Sequence, residues 1–238
     1  MADTGSRRPL IIVVIAGAAC LLLVLLVAIA GVIGVVVLRG SDADPSEPAP
    51  AAEIVAPPGV AEDQPYLELS TSEDGPVVDL YLDFLCPHCA TFHETHGVDL
   101  ETLAGSGEIT LRVHPRPMLD ANSSPAGYSG RAANAALAAY AATEDPQTWF
   151  DAERALFGNQ PGEEGLTDEE LVERIQEATG VDVSEDVAAG TYLPWLQEVV
   201  EPEALQSVQG TPVVMIDGEI FEGDLAAAGS VREAIERA

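Results

Sequence analysis

The stretch Val77–His96 reads VVDLYLDFLCPHCATFHETH, and it decides the fold. Its apolar first half predicts a strand that ends near Phe84, followed by a tight turn and a helix with two cysteines at its start. Cys86 is placed at the N-terminus of that helix, where unpaired backbone N–H groups and the helix dipole favour negative charge. A thiolate there has a lowered pKa, which makes Cys86 a readily ionised nucleophile and a good leaving group. Cys89 follows one turn later on the same face, so it can close a disulfide with Cys86.

The two residues between the cysteines support the same chemistry. Pro87 suits an early helical position, because its missing N–H is not needed there. His88 places a dipole, and a positive charge when protonated, beside the sulfur of Cys86. We therefore predict that Cys86, Pro87, His88 and Cys89 form a redox site that needs neither a metal nor an organic cofactor.

The cysteine pair has two alternative interpretations, a metal half-site and an inert structural disulfide. Cys86, Cys89 and His93 lie at i, i+3 and i+7 with His96 three further on, a spacing that zinc could use. Closed zinc sites, however, usually join two separated ligand pairs through a longer spacer, so His93 and His96 are predicted to be solvated helix residues. An inert disulfide is disfavoured because so short a ring gains little stability from loop closure. The position between strand and helix favours a redox role.

The N-terminal part of the chain predicts a membrane anchor. Residues 9–38 contain no charged residue, and Leu10–Leu38 would form a helix about 43 Å long, more than the roughly 30 Å of a hydrocarbon core. A cleavable signal peptide has an apolar region of about 7–15 residues, so an anchor is favoured and cleavage is the alternative. Because Arg7 and Arg8 precede the span, we expect a cytoplasmic N-terminus and an extracytoplasmic remainder.

The segment 40–64 predicts a disordered linker rich in proline, alanine and acidic residues. Its composition cannot bury a core and favours an extended backbone. Beyond residue 40 the chain has seven arginines, no lysine and 39 acidic residues, a net charge of −32. That charge argues against nucleic acid and against an anionic membrane surface as partners, and it is also what a soluble exported domain would carry.

The remaining pattern alternates strands and helices in the order ββαβ, a helical block, then ββα. The first part predicts a βαβ unit, formed by Tyr66–Ser70, Val77–Phe84, a helix from Cys86 to about Ala104, and Glu108–His114. The block predicts helices at Arg131–Ala142, Asp145–Phe157, Thr167 to Gly180 (opened by a capping box), and about Thr191 through Trp195. The tail predicts strands Thr211–Ile216 and Glu219–Phe221 joined by an Asp217-Gly218 turn, then a helix Leu225–Arg237.

Tyr66–Ala238 resembles the thioredoxin superfamily, and within it the DsbA-like branch. The matching pieces are Asp83–Cys89 (DFLCPHC), Ser129–Ala135 (SGRAANA), Asn159-Gln160-Pro161 leading to Gly165-Leu166-Thr167, and Gly210-Thr211-Pro212 before an apolar strand and Asp217-Gly218. The resemblance implies a thioredoxin fold interrupted by a helical insert at about 120–209. It also implies that Thr211–Pro212 is a cis peptide facing the cysteine pair.

The resemblance also implies a buried acid that assists proton transfer behind the cysteines. Asp79 and Asp83 are the candidates, and Asp83 is equally well explained as a cap at the helix entry. Thr211 stands where valine is frequent in the best-known oxidases of this branch, so the redox poise does not follow from the resemblance.

Together these features predict an α/β protein, a thioredoxin fold with a helical insert behind one transmembrane helix and a linker. The expected division is a cytoplasmic N-terminus 1–8, an anchor 9–38, a linker 40–64 and a DsbA-like domain 65–238. The expected function is oxidation of cysteine pairs in exported proteins at the cell membrane, with a membrane partner that re-oxidises the cysteines. The alternatives are an envelope reductase or isomerase using the same site, and a non-enzymatic tethered module that binds thiols or a metal.

Overall fold

A mixed sheet with strand β2 (Val77–Leu82) at its centre organises the part of the chain that the structure describes. The structure is a computed structural model, and it describes residues 53–158, 160–162 and 165–238. The five strands of the sheet lie in the order β1-β3-β2-β4-β5, where the others are β1 (Leu67–Ser70), β3 (Thr110–Pro115), β4 (Val213–Ile216) and β5 (Glu219–Ile220).

Strand β2 carries the chain into the cysteine turn, and its neighbours fix its register. Leu80 lies opposite Val113 in the parallel β2–β3 pair and opposite Val214 in the antiparallel β2–β4 pair. A strand paired on both sides and covered on both faces is apolar along most of its length, as β2 is. The end of β2 is therefore held from both sides, and the turn that follows it begins at a defined position.

Helix α1 (Pro87–Gly105) follows the turn and packs its apolar face on the sheet, which confirms the predicted βαβ unit. Phe92, Leu100 and Leu103 are buried on that face. The helix ends next to Gly107, whose φ of 71° is a left-handed conformation that glycine adopts without strain. The cysteine pair thus lies at the fixed end of a long, well-anchored helix.

The predicted helical block lies between β3 and β4. Its helices are α2 (Tyr128–Thr143), α3 (Pro146–Gly158), α4 (Asp168–Thr179), α5 (Ser184–Ala189), α6 (Leu193–Trp195) and α7 (Glu201–Ser207), with a π-helical turn Leu196–Val200 between the last two. Helix α2 is buried over most of its length, since its alanines let the neighbouring helices approach closely. The capping box at the start of α4 is present: Glu170 N donates to Thr167 Oγ1 (3.3 Å), and Thr167 N donates to a Glu170 carboxylate oxygen (2.8 Å).

Some boundaries differ from the sequence predictions. Helix α5 was not predicted, and the helical stretch predicted to end at about Trp195 continues to Ser207. The last helix, α8 (Ser230–Ile235), is shorter than predicted, because Ala226 N donates to Asp224 Oδ1 (2.9 Å) and forms a turn where helix was expected. The hairpin turn is as predicted, with Asp217 at φ 50° and Gly218 at φ 80°.

The N-terminal predictions meet the described residues only in part. The predicted anchor 9–38 lies outside them, and within them no helix is long and apolar enough to cross a membrane. From residue 53 onward the predicted linker packs against the domain, where Ile54 and Val60 contact the core. Trp195 Nε1 also donates to the Gln64 carbonyl (3.0 Å). This part of the 40–64 segment therefore carries enough apolar surface to dock, unlike the disordered linker expected there.

Candidate functional site

Cys86 is the N-cap residue of α1, as the sequence predicts. Its backbone is extended (φ −73°, ψ 117°), and Pro87 occupies the first turn of the helix. The Cys86 carbonyl accepts from Cys89 N (3.0 Å), while Cys86 N donates to the Asp83 carbonyl (3.1 Å). These bonds fix the turn between β2 and α1 and leave the Cys86 side chain at the helix N-terminus.

The sulfur of Cys86 faces the loop that precedes β4. Cys86 Sγ donates to the Thr211 carbonyl at 3.4 Å, and the Thr211–Pro212 peptide is cis, as predicted. The pKa of Cys86 is lowered to about 5, first because the Cys89 thiol donates to its sulfur, and then through the Thr211 side chain and the backbone N–H groups of Cys89 and His88; burial opposes this shift. Cys86 is therefore poised to exist as a thiolate at neutral pH.

Cys89 lies deeper than Cys86. It is 1% exposed, against 5% for Cys86, and both residues are thiols. Asp83 N donates to Cys89 Sγ at 3.4 Å. Burial, and then the neighbouring Cys86, raise the pKa of Cys89 far above its ordinary value. The two sulfurs thus differ strongly in acidity, with the acidic one nearer to the surface.

Asp83 is the predicted acid that the fold brings to the cysteines. Its side chain is fully buried and accepts three hydrogen bonds, from Leu85 N (2.7 Å), Ser129 Oγ (2.6 Å) and Leu119 N (2.9 Å). Burial nevertheless raises the pKa of Asp83 to about 6, although these three bonds oppose the shift. Both predicted roles are compatible with this geometry: the bond from Leu85 N caps the turn, and the pKa lies in a range useful for proton transfer.

Asp79 is used elsewhere. His114 Nε2 lies 2.9 Å from Asp79 Oδ1, and the His114 ring stacks on Tyr81 with 4.0 Å between ring centroids. Tyr81 in turn packs with Ala204 and Val208, on the far side of the sheet from the buried face of α1. Asp79 therefore belongs to an aspartate–histidine contact on that side, and the structure brings Asp83, not Asp79, to the cysteine pair.

Two grooves flank the cysteine turn. One, of about 310 Å³, is lined by His88, Thr211, Pro212, Phe92 and Leu225, among others. The second, of about 320 Å³, is lined by Leu85, Pro87, Leu119, Asn122, Pro161 and Gly162. His88 lines the first groove and Pro87 the second, and both residues are exposed. A peptide crossing Cys86 would lie between the two grooves.

The prediction that His93 and His96 are solvated is wrong. His96 is 1% exposed and its Nε2 bonds to the Leu225 carbonyl at 3.0 Å. His93 Nδ1 lies 3.5 Å from Glu153 Oε1 in a largely buried pair. Both rings are engaged by the segments packed on α1, which a helical sequence alone does not reveal. In the described residues no group of three or more His, Cys, Asp or Glu side chains is arranged to hold a metal ion.

Further residues complete the site and were not singled out individually from the sequence. Gln160 Nε2 donates to the carbonyls of Phe84 (2.8 Å) and Cys86 (3.0 Å) and so holds the turn from outside. Ser129 binds Asp83, and Arg116 binds the loop before Thr211. Gln160 and Ser129 lie within the stretches that carry the family resemblance, which was the available signal. For Arg116 the sequence offers no signal beyond its position next to Pro117.

Comparison with known proteins agrees with this geometry. A family model described as thioredoxin matches residues 72–237, more than half of the chain. Among solved structures, the reduced disulfide bond oxidoreductase DsbG from Mycobacterium tuberculosis is 26% identical, with a TM-score of 0.61 over 72% of this chain and 86% of that one. Oxidised DsbA from Mycobacterium tuberculosis is 25% identical, with a TM-score of 0.57 over 73% and 99% of the two chains. The MdbA thiol-disulfide oxidoreductase of Corynebacterium diphtheriae shares the fold at 22% identity, with a TM-score of 0.59 over 69% and 85%.

Among curated proteins, the serine/threonine-protein kinase PknE of Mycobacterium tuberculosis is 31% identical over 93 residues, or 38% of this chain. The chain spans only 16% of the length of that relative. The family-model match and the shared fold confirm the resemblance predicted from the sequence, and the chain belongs to the thioredoxin family, with DsbA-type thiol–disulfide oxidoreductases as structural neighbours.

Proposed function

We propose that this protein is an extracytoplasmic thiol–disulfide oxidoreductase that oxidises cysteine pairs in exported proteins. The observation that carries the proposal is the unequal pair of sulfurs: Cys86 at the helix N-terminus with a pKa of about 5, and Cys89 buried beside it with a raised pKa. A stable Cys86 thiolate favours the reduced dithiol, and a pair that is stable when reduced is a strong oxidant when it is in the disulfide form.

The first step forms a mixed disulfide. A substrate thiolate attacks Cys86 Sγ of the Cys86–Cys89 disulfide, the sulfur nearer to the surface. A bond forms between the substrate sulfur and Cys86, the bond between the two cysteines breaks, and its electron pair leaves on Cys89 Sγ. The raised pKa of Cys89 means that this sulfur takes up a proton, for which the nearby Asp83 carboxyl, with a pKa of about 6, is the candidate donor.

The second step releases the product. A second substrate thiolate attacks the substrate sulfur of the mixed disulfide and displaces Cys86 as a thiolate, which the surrounding donors stabilise. The substrate has then lost two electrons to form its disulfide, and the enzyme has gained them as a dithiol. A further turnover requires a partner that carries a disulfide and accepts these two electrons, which we assign to a membrane protein.

The proposed location rests on the N-terminal sequence. The uncharged stretch 9–38 is long enough to span a bilayer, and the arginines before it favour a cytoplasmic N-terminus. To test this, a Cys20→Ala variant of the full chain would be reduced in intact cells and treated with a membrane-impermeant maleimide. Labelling of Cys86 before lysis supports an extracytoplasmic domain, whereas labelling only after lysis contradicts it.

The reduction potential of the cysteine pair tests the proposed direction of electron flow. The full chain, kept in solution with detergent, would be equilibrated with glutathione buffers and the dithiol fraction measured. A value of about −120 to −180 mV supports an oxidant, whereas a value near about −270 mV would make the protein a reductase that needs an electron supply. The absence of any two-electron couple would overturn the proposed function altogether.

A further inference from the structure

Arg116 is a fully buried cation at the end of β3, next to the redox site. Its side chain is 0% exposed, and its backbone N donates to the Leu82 carbonyl (2.8 Å) at the last residue of β2. An arginine keeps its charge in a protein interior and is tolerated there only with well-placed acceptors. The acceptors of Arg116 therefore identify the parts of the fold that depend on it.

Its guanidinium joins two such parts. Arg116 Nε and Nη2 donate to the two carboxylate oxygens of Glu201, at 2.9 and 2.8 Å, in a bidentate pair. Arg116 Nη1 donates to the Gly210 carbonyl at 3.2 Å. Glu201 begins α7 and Gly210 lies in the loop that leads to β4, so the side chain connects the start of α7 to this loop, while the backbone N of the same residue binds the end of β2.

The Gly210 carbonyl is one peptide unit from the group that faces the reactive sulfur. The next carbonyl along the chain is that of Thr211, which accepts from Cys86 Sγ at 3.4 Å. Arg116 also opens the segment that reaches Asp83, since Leu119 N donates to Asp83 Oδ2 at 2.9 Å. A displacement of Arg116 would therefore move both the loop that carries Thr211 and the segment that binds Asp83.

We propose that Arg116, oriented by Glu201, is a positioning residue for thiol–disulfide exchange, because it fixes the Gly210 carbonyl and thereby holds Thr211 at hydrogen-bonding distance from Cys86. This inference rests on the proposed function. Arg116 itself touches neither cysteine in the contacts described above, and it acts through the loop that carries Thr211 and Pro212.

The test distinguishes a role of Arg116 in positioning Thr211 from a purely structural role in attaching α7. Replacing Arg116 alone leaves the partly buried Glu201 carboxylate without its partner and destabilises the fold. The informative variant is therefore the double substitution Arg116→Met with Glu201→Met, which removes the whole pair but also the bond to Gly210. Arg116→Lys is the milder companion, because lysine keeps the charge but cannot serve both acceptors with a planar fork. The matched control is Arg112→Met, which removes a partly exposed ion pair between Arg112 of β3 and Glu68 of β1.

Two readouts are taken on each full-length variant: urea unfolding, and the ionisation of Cys86 followed by thiolate absorbance across pH. We expect the double variant and Arg116→Lys to remain folded in buffer and to titrate Cys86 at higher pH than Arg112→Met. We also expect the fraction of Cys86 thiolate at a pH near the wild-type midpoint to fall by about threefold or more, because a displaced loop moves the Thr211 side chain, which lowers the pKa of Cys86, away from the sulfur. Titration curves of these folded variants that coincide with that of Arg112→Met would show a merely structural pair and overturn the proposal.

The experiment distinguishes failure of the positioning role from failure of the proposed function. Failure of the wild-type protein to oxidise a dithiol peptide would refute the function, while the titration of Cys86 would still report on Arg116. Conversely, an active wild type with unshifted Arg116 variants would refute the positioning role alone.

Discussion

Cys86 Sγ lies 3.4 Å from the carbonyl oxygen of Thr211, although the two residues are 125 positions apart in the chain. The contact joins the helix N-terminus that follows β2 to the loop that precedes β4, and these strands are direct neighbours in the sheet. The sheet therefore places a backbone acceptor and an extended stretch of chain next to the reactive sulfur.

Of the two cysteines of the redox site, only one should react with iodoacetamide in the reduced protein, and it should do so in an unusual pH range. Because the pKa of Cys86 is lowered to about 5, its alkylation rate should reach half its maximum near pH 5, several units below an ordinary thiol. Cys89 should stay unmodified in the folded protein, since it is buried and its pKa is raised. The protein is alkylated at a series of pH values, and mass spectrometry of its peptides then measures the labelling of Cys86 and of Cys89. Half-maximal labelling near pH 8–9, or preferential labelling of Cys89, would contradict the assignment of Cys86 as the nucleophile.

A Cys89→Ser variant should accumulate mixed disulfides through Cys86, while Cys86→Ser should form none. Without Cys89 there is no internal thiol to displace the substrate from Cys86. Incubation with a peptide disulfide, followed by non-reducing electrophoresis, measures the adduct. An equal yield of adducts in both variants would mean that the cysteines have interchangeable roles.

Thr211→Val should raise the pKa of Cys86. In the dithiol form Thr211 Oγ1 is buried without a hydrogen-bond partner among the described residues, so its hydroxyl is available to donate to the Cys86 thiolate, and the Thr211 side chain lowers the pKa of Cys86. Valine keeps the shape and removes the hydroxyl, so the thiolate loses a source of stabilisation of about 1 kcal/mol or less, equivalent to less than one pKa unit. Absorbance of the thiolate across pH measures the shift. Thr102→Val, an exposed threonine on the same helix as the cysteines, is the control and should leave the titration of Cys86 unchanged.

The sequence determines the redox centre more completely than the groups around it. The strand, the cysteines at the helix N-terminus, the capping box of α4 and the cis peptide at Pro212 all follow from local patterns or from the family resemblance. The choice between Asp79 and Asp83 does not, because the two residues are four apart and would share a face in a continuous strand. The strand ends at Leu82, and the partners that separate the two acids, His114 and Ser129, come from other elements.

The burial of His96 and Arg116 could not be predicted from the sequence for the same physical reason. His96 looks solvated on a helix because its cover, the Leu225 segment, is 129 positions away. Arg116 looks like an ordinary strand-end arginine because Glu201 is 85 positions away. Burial of a polar side chain depends on which distant segment packs over it, and periodicity within one element carries no such information.

Asp83 should make the unfolding free energy of the protein depend on pH between about 4 and 6. Its folded-state pKa is raised to about 6 from an ordinary value of 3.8, so the folded protein binds more protons than the unfolded chain in this range. The stabilisation that Asp83 provides is therefore fully present below about pH 4. It is lost as the pH rises through about 6, which lowers the free energy of unfolding by an amount on the order of 3 kcal/mol. Asp83→Asn cannot ionise and should lack this dependence.

Urea unfolding of wild type and Asp83→Asn at a series of pH values, with Cys86 and Cys89 held as a disulfide so that neither thiol titrates, isolates the effect. Wild type should lose stability relative to the variant between pH 4 and 7, and the two curves should run parallel above that. Parallel curves throughout would mean that Asp83 keeps an ordinary pKa, in which case it is a helix-entry cap and cannot supply the proton that Cys89 takes up.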